Sequence, residues 1–166
     1  VGVPLRSGNA FSVFDDYSDY STGDYFSFYK KMLYLGYHLG IGYDHDNHYT
    51  NFGRSNGGRL VVIAPSLTRA NLTTAMRNMN FYGSDDSNVK VEFTMNGNIM
   101  GSIVSGNYFP SFNIVHNDPD GENADTIRIW RGYKNSGGLW AQIMNTSVNG
   151  NAMQFTDPSI QPNIEY

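Results

Sequence analysis

The stretch VKVEFTMNGNIMGSIV, residues 89–104, contains the clearest fold signal in the chain. Apolar and polar residues alternate strictly from Val89 to Met95, which is the period-two pattern of a strand with one buried face. Asn96-Gly97 follows, and an Asn-Gly pair suits the type I′ turn of a hairpin because both turn positions need a positive φ. The apolar run from Ile99 to Val104 is then predicted as the returning strand.

The rest of the chain repeats this pattern of short strands and turns. Its 166 residues include 19 Asn and 12 Asp but only three Gln and three Glu, together with 18 Gly. Asn, Asp and Gly favour turns, whereas Gln and Glu favour helices, so the composition indicates many turns. A helical period appears once, from Leu72 to Met79, with Thr68 or Asn71 available to cap it. Further strands are predicted at 33–43, 59–64, 112–116, 126–133, 139–144 and 152–155. A tail running extended over the surface is expected from Asp157 onward.

These elements predict an all-β fold, an antiparallel β-sandwich of jelly-roll type with one short helix. The length fits a single domain over residues 1–166, and Val1 is consistent with a domain processed or excised from a longer chain. In the predicted strand Leu33–Tyr43, one face is apolar and the other carries Gly36, Gly40 and Gly42. Such a bare face indicates close packing by a second sheet or subunit, and a sharp bend of the strand is the alternative.

Composition also excludes several classes of function. There is no cysteine, so a disulfide scaffold and a cysteine-ligated metal are both ruled out. The net charge of −4 argues against a nucleic-acid binder, which needs a basic surface to contact phosphates. No apolar run approaches the roughly 18 residues of a transmembrane helix, so membrane insertion is not expected.

Tyrosine is concentrated near the N-terminus, where eight of the twelve residues lie between Tyr17 and Tyr49. Tyr17, Tyr20 and Tyr25 alternate with aspartates in a segment that we expect to be a loop. Tyrosine supplies a rigid, amphipathic contact surface at low entropic cost. The segment is therefore a candidate binding loop, although packing against a sheet or a subunit contact explains the same residues.

Two polar clusters contain potential metal ligands. His45 and His48 offer nitrogen ligands beside carboxylates, and in a trimer one histidine per chain would meet around the axis. Asp118, Asp120 and Asp125 surround a glycine turn and offer the hard oxygen ligands that Ca²⁺ prefers. Neither spacing matches a complete metal-binding motif, so a solvated loop without metal is the alternative at both places.

The two tryptophans are predicted on one outer face. If Ile127 and Ile129 point to the core, alternation turns Arg128 and Trp130 outward. The same reasoning turns Trp140 and Gln142 outward on the paired strand. An exposed aromatic pair beside polar groups is suited to stacking a sugar ring, and an oligomer interface or a second inner face is the competing interpretation.

The sequence carries little sign of an enzyme. Residues 53–57, GRSNG, match the Gly-x-Ser-x-Gly spacing but lie in a predicted loop between two strands, and there is no phosphate-binding loop and no His-Glu-x-x-His zinc motif. A carboxylate pair such as Asp44 with Glu92 would suit a glycoside hydrolase. With twelve aspartates in the chain such a pair arises easily, so a glycoside hydrolase is only an alternative reading.

The hairpin of residues 89–104 resembles the strand–Asn-Gly–strand passages of bacteriophage tail-fibre and other viral receptor-binding tip domains, as does the richness in Asn, Gly and Tyr. That resemblance implies a trimeric β-structure that recognises a cell-surface glycan or glycoprotein, and it brings no individual site residue with it.

We therefore expect a non-enzymatic recognition domain, located outside a cell or on a virion surface, that binds carbohydrate and forms a homo-oligomer, for which the resemblance favours a trimer. The alternative is a structural subunit of a capsid or extracellular filament, in which extended termini pair with neighbouring subunits by strand exchange.

Overall fold

The computed structural model describes residues 2–106, 109–134, 140–147 (backbone only) and 151–166. Ten strands and two short helices lie in these residues, which agrees with the predicted all-β class. The strands are β1 (Gly2–Ser7), β2 (Gly40–Asp44), β3 (Arg59–Val62), β4 (Phe81–Ser84), β5 (Lys90–Met95), β6 (Asn98–Ile99), β7 (Ser111–Asn117), β8 (Thr126–Gly132), β9 (Trp140–Ser147) and β10 (Ala152–Thr156). The helices are α1 (Phe26–Tyr34) and α2 (Arg69–Arg77). Both have nine residues, so within the described chain no helix reaches across a bilayer.

The chain divides into two compact units, each described by itself. The N-terminal unit comprises residues 1–29 and 38–87, and the C-terminal unit comprises residues 30–37 and 88–166. In the N-terminal unit β1 pairs with β2 and β3 pairs with β4. In the C-terminal unit one sheet has the order β10-β7-β5-β6, and β8 pairs with β9.

One of these pairings is parallel, which the prediction of an antiparallel fold did not include. β1 runs parallel to β2, with Gly2 opposite Gly40 and Ser7 opposite Asp44. Parallel neighbours require a crossover connection of at least about a dozen residues, and here residues 8–39, including α1, supply it. The other three sheets are antiparallel.

The strand predicted at residues 33–43 is wrong in its first half, because a helix ends there and the strand begins later. The prediction of a single helix is therefore also wrong. α1 occupies Phe26–Tyr34, and β2 begins only at Gly40. Gly36, at φ +88°, ends the helix in a left-handed conformation that favours glycine. The Gly36 and Tyr37 amides donate to the carbonyls of Leu33 (2.9 Å) and Met32 (3.2 Å), the two hydrogen bonds of a Schellman cap.

α2 and the Asn-Gly turn agree with the sequence. Thr68 caps α2, and its hydroxyl accepts a hydrogen bond from the Asn71 amide at 3.3 Å. Asn96 and Gly97 both have positive φ, 49° and 78°, as a type I′ turn requires. The returning strand, however, stops at Ile99 because a turn follows it, and the Ser102 amide donates to the Ile99 carbonyl. The other edge of β5 pairs with β7 over its full length.

Glycines allow the strands of the N-terminal unit to pack closely. A Cβ atom on Gly40 would lie 2.6 Å from the Phe81 ring, and one on Gly2 would lie 2.5 Å from it. A Cβ atom on Gly83 in β4 would lie 2.6 Å from the carbonyl oxygen of Gly42 in β2. The predicted close packing on the glycine face of β2 is therefore confirmed, and the packing elements belong to the same unit.

The tail does not begin on the surface as predicted. The Asp157 side chain is 1% exposed and pairs with the Arg131 guanidinium. Burial alone raises the pKa of Asp157, but hydrogen bonds from Ser159 and Arg131 outweigh it and leave the pKa below its ordinary value. Arg131 also lies over the Tyr166 ring, at 5.1 Å from the centroid. The tail is thus anchored to β8 by a buried ion pair and a cation–π contact.

Replacement of Gly83 by alanine tests the close packing. We expect Gly83→Ala to lower the free energy of unfolding by about 1–3 kcal/mol, because the new methyl group meets backbone atoms that must shift. Gly57→Ala is the matched control, since its Cβ would lie 3.5 Å from the nearest neighbour, an ordinary contact. Urea unfolding measures both. Equal stabilities of the two variants would contradict the packing.

Replacement of Asp157 by asparagine tests the anchor of the tail. The pKa of Asp157 is lower in the folded than in the unfolded state, so its carboxylate stabilises the fold at pH values above the unfolded pKa of about 3.9. This stabilisation is lost as the pH falls through the folded-state pKa. We expect Asp157→Asn to cost about 1.5–3 kcal/mol at pH 7, and the difference from wild type to shrink below about pH 4. Glu165→Gln is the control, because its pair with Lys134 is exposed and worth at most about 1 kcal/mol. A difference independent of pH in urea unfolding would refute this reading.

Candidate functional site

Two loops of the N-terminal unit are joined into one structure, which we call the aromatic double loop and define as residues 9–20 and 46–56. Backbone hydrogen bonds connect them at three places. The Tyr17 amide donates to the Arg54 carbonyl at 2.7 Å, and the Asp19 amide donates to the Ser55 carbonyl at 2.9 Å. At the other end the His48 amide donates to the Ala10 carbonyl at 3.2 Å. The double loop is therefore a paired structure.

Buried amide side chains reinforce this pairing. The Asn51 side-chain nitrogen donates to the carbonyls of Ser12 (2.8 Å) and Phe14 (2.6 Å), and Asn51 is 7% exposed. The Asn56 side chain is 1% exposed, and its oxygen accepts from the Tyr43 hydroxyl at 2.9 Å and the Gly58 amide at 3.0 Å. Unpaired polar groups are costly in such positions, and of the four polar atoms of these two amides only the Asn56 nitrogen lacks a partner among the described residues. These hydrogen bonds therefore specify one conformation of the two loops.

The Tyr43 hydroxyl extends the network toward the end of β4. Besides its bond to Asn56, it lies 2.6 Å from the Ser21 hydroxyl, which donates to the Asp85 carboxylate at 2.7 Å. Asp85 in turn pairs with Arg6 at 3.3 Å. Burial raises the pKa of Tyr43, so its hydroxyl keeps its proton at neutral pH and remains a donor to Asn56. The double loop is thus connected to both strand pairs of its unit.

His45 belongs to this scaffold and has protein partners at both ring nitrogens. Nε2 lies 2.7 Å from the Gly58 carbonyl oxygen, and Nδ1 lies 3.4 Å from the Ser55 hydroxyl. Ser55 has no exposed surface, so this serine–histidine contact lies inside the scaffold. His48 bonds instead to the Asp46 carbonyl at 2.7 Å. Within the described residues neither histidine joins a cluster of three metal ligands.

The scaffold presents a group of exposed aromatic and aliphatic side chains. Tyr20 is 74% exposed and Tyr17 is 49% exposed. Tyr17 adopts φ +66°, and the Arg59 guanidinium lies over its ring at 5.3 Å from the centroid. Other large exposed side chains of the double loop are Phe11, Val13, Phe14, Tyr49 and Phe52. An exposed apolar surface on a rigid support is typical of an interaction site.

Tyr25, the third tyrosine of the predicted binding loop, lies outside the double loop. It is 45% exposed, and its amide donates to the Leu5 carbonyl of β1 at 3.0 Å, just before α1 begins. Tyr17 and Tyr20 therefore lie in the double loop, as do the exposed phenylalanines, and Tyr25 lies outside it.

The predicted tryptophan surface lies on β8 and β9 of the C-terminal unit. Arg128 is exposed and Trp130 is 40% exposed, as the alternation predicted. In the backbone ladder Trp130 is opposite Gln142, and Gly132 is opposite Trp140, with a register shift between Ile129 and Trp130. The side chains of Trp140 and Gln142 lie outside the described residues, so the shared platform stays a prediction.

The predicted calcium ligands do not form one cluster in the C-terminal unit. One Asp118 oxygen accepts a hydrogen bond from the Asp120 amide at 2.8 Å, and Asp120 accepts one from the Asn88 side chain at 2.9 Å. The described residues contain no ligand group that joins Asp118, Asp120 and Asp125. Asp118 instead has a carboxylate oxygen within 4.8 Å of one from Glu122.

The two carboxylates suggested for glycoside hydrolysis, Asp44 and Glu92, lie in different units. The Asp44 carboxylate accepts a hydrogen bond from the Asp46 amide at 2.8 Å, in the turn that follows β2. Glu92 lies on β5, in the other unit. The glycosidase alternative therefore stays a prediction.

Comparison with known proteins gave no match: none was found among protein-family models, curated proteins or solved structures.

A variant of Asn51 tests whether its amide holds the double loop together. We expect Asn51→Ala to cost about 1–3 kcal/mol, because the Ser12 and Phe14 carbonyls lose their donor. Hydrogen exchange should also accelerate at residues 9–20. Asn123→Ala, at an exposed position of the other unit, is the control and should leave both measurements unchanged. Unchanged exchange in Asn51→Ala would show that other contacts fix the loops.

Proposed function

We propose that this chain is a non-enzymatic recognition domain that binds a cell-surface carbohydrate through the aromatic double loop, outside a cell or on a virion surface. The observation that carries the proposal is the Tyr17 ring, which Arg59 contacts on a hydrogen-bonded scaffold while half of the tyrosine remains exposed. A ring fixed before binding loses little entropy when a ligand stacks on it.

Carbohydrate is the ligand class that suits this surface best. A sugar ring has apolar C–H faces that pack on aromatic side chains and hydroxyl groups that need hydrogen-bond partners. The double loop supplies Tyr20 for packing and Asp16 as an acceptor. Hydrogen bonds from Ser18 hold the pKa of the Asp16 carboxyl below its ordinary value, so it is ionised at neutral pH.

Other expectations belong to the same proposal. They are the likeness to viral fibre tips, the trimeric state, calcium as the alternative to a metal-free loop, and the jelly-roll arrangement of the sheets. The antiparallel sheets support the last of these. Trp130 and Arg128 are a second candidate surface for the carbohydrate, since both are exposed on β8.

The rival function, a structural subunit assembled by strand exchange, has less support. That function needs extended terminal segments that pair with a neighbour. Here β1 pairs along its length with β2 of its own unit. In the tail, Lys134 and Glu165 form an ion pair at 3.5 Å, and the Lys134 amide donates to the Glu165 carbonyl. Both segments are already engaged within their own units.

A glycan array tests the proposal, run on wild type and on single alanine variants of Tyr17, Tyr20 and Trp130. We expect Tyr17→Ala and Tyr20→Ala to weaken binding at least tenfold, which corresponds to about 1.4 kcal/mol each. Tyr37→Ala is the control, because Tyr37 is an equally exposed tyrosine outside the double loop. A parallel array with chelator tests for calcium.

Two outcomes would contradict the assignment. Loss of binding in Trp130→Ala with normal binding in the tyrosine variants would move the site to β8. A protein that binds no glycan and assembles into filaments or shells would favour the structural subunit.

A further inference from the structure

The C-terminal unit contains an apolar cavity that the proposed carbohydrate site does not use. Its volume is about 150 Å³, and it lies between the sheet β10-β7-β5-β6 and the segment that follows β6. Its apolar lining consists of Phe93, Met95, Ile99, Met100, Val104 and Phe112. An apolar cavity of about this volume accommodates a benzene ring, so one branched or aromatic side chain fits.

The cavity continues into an aromatic row on the same sheet. Phe93 stacks on Phe112 with ring centroids 5.7 Å apart, and Phe112 stacks on Phe155 at 6.3 Å. Phe93 and Phe112 are only half-buried, as is Met95 beside them, whereas Ile114 on this face is fully buried. The face is therefore apolar but incompletely covered within the chain.

The segment that lines the cavity also carries an exposed apolar side chain. Ser102 and Val104 line the cavity, and Ile103 between them is 70% exposed. Each chain thus presents a projecting apolar side chain next to a cavity of matching size. Having both parts on one surface is the condition for a contact between identical chains.

The charge distribution also favours a second copy as the occupant. Residues 93–115 contain no Asp, Glu, Lys, Arg or His, although 16% of the chain is charged and a stretch of this length would carry about four charges at that frequency. The chain has a net charge of −4, so two copies repel each other, and an uncharged surface is where a contact adds least to that repulsion. Depletion of charge is also the compositional mark of an interface centre.

We propose that residues 98–104 and the adjoining cavity form an interface between copies of this chain, with Ile103 of one copy entering the cavity of another. The interface lies on the C-terminal unit, whereas the carbohydrate site is assigned to the N-terminal unit. The carbohydrate site therefore stands if the interface fails, although a monomeric chain would also remove the trimeric state from the proposed function.

Sedimentation equilibrium of the full chain at concentrations up to about 100 µM tests association directly. We expect wild type to have a mass above that of one 18.6-kDa chain, and Ile103→Asp to sediment as a single chain, because the aspartate places a charge in the apolar cavity. Leu67→Asp is the matched control: Leu67 is 90% exposed in the other unit, and the variant should associate as wild type does.

Cysteine pairs test the specific contact, because the chain has no cysteine of its own. Mixing Ile103→Cys with Ile99→Cys under mild oxidation should give a disulfide-linked pair of the two variants, whereas Ile103→Cys with Leu67→Cys should not. A monomeric wild type would overturn the proposal, as would an oligomer that Ile103→Asp leaves intact. Binding of a small apolar dye in the cavity of a monomeric protein would assign the cavity to a small ligand instead.

Discussion

The N-terminal unit depends on the contact between glycines of its parallel strand pair and the Phe81 ring. Gly2 and Gly40 are opposite each other in β1 and β2, and neither has a side chain to keep the ring away. Gly83 allows the backbone of β4 to approach Gly42 of β2 in the same way. Burial of Phe81 is thereby shared between the two strand pairs of the unit, so glycine serves here as a packing surface.

The buried polar side chains of the N-terminal unit hold the two loops in place. Ser55 and Asn56 are among the most deeply buried side chains, and the hydrogen bonds of Asn56 and Asn51 determine the course of the loops. Because these buried hydrogen bonds hold the loop backbone, the loops do not depend on burial of their aromatic side chains. This division explains how Tyr20 and Phe52 remain exposed on an ordered structure.

The sequence predicted what depends on local chemistry. The Asn96-Gly97 turn and the Thr68 cap follow from the residues themselves, and the structure contains both. α1 was missed because Leu33 and Leu35 continue the alternation of the strand, whereas the left-handed backbone at Gly36 ends the helix several residues before β2 begins.

The candidate site was predictable only in part. Tyr17 and Tyr20 stood out by composition, whereas Asn51 and Asn56 are two of 19 asparagines with no local mark of burial. Their burial depends on contacts between distant segments, and so does the pairing of Asp157 with Arg131. Near residue 36 the local sequence allows both helix and strand, and tertiary contacts decide between them. Tertiary contacts likewise decide which asparagine side chains are buried.

The path of the chain through α1 has a consequence for dissecting the protein. The helix begins in one unit and ends in the other, and the chain returns to the first unit at His38 before leaving it again after Ser87. Neither unit is a continuous segment. A fragment that stops at Ser87 would carry residues 30–37 without the residues they cluster with, and a fragment that starts at Asn88 would lack them. No single cleavage point therefore releases either half intact, and isolating one unit would require a permuted or spliced chain.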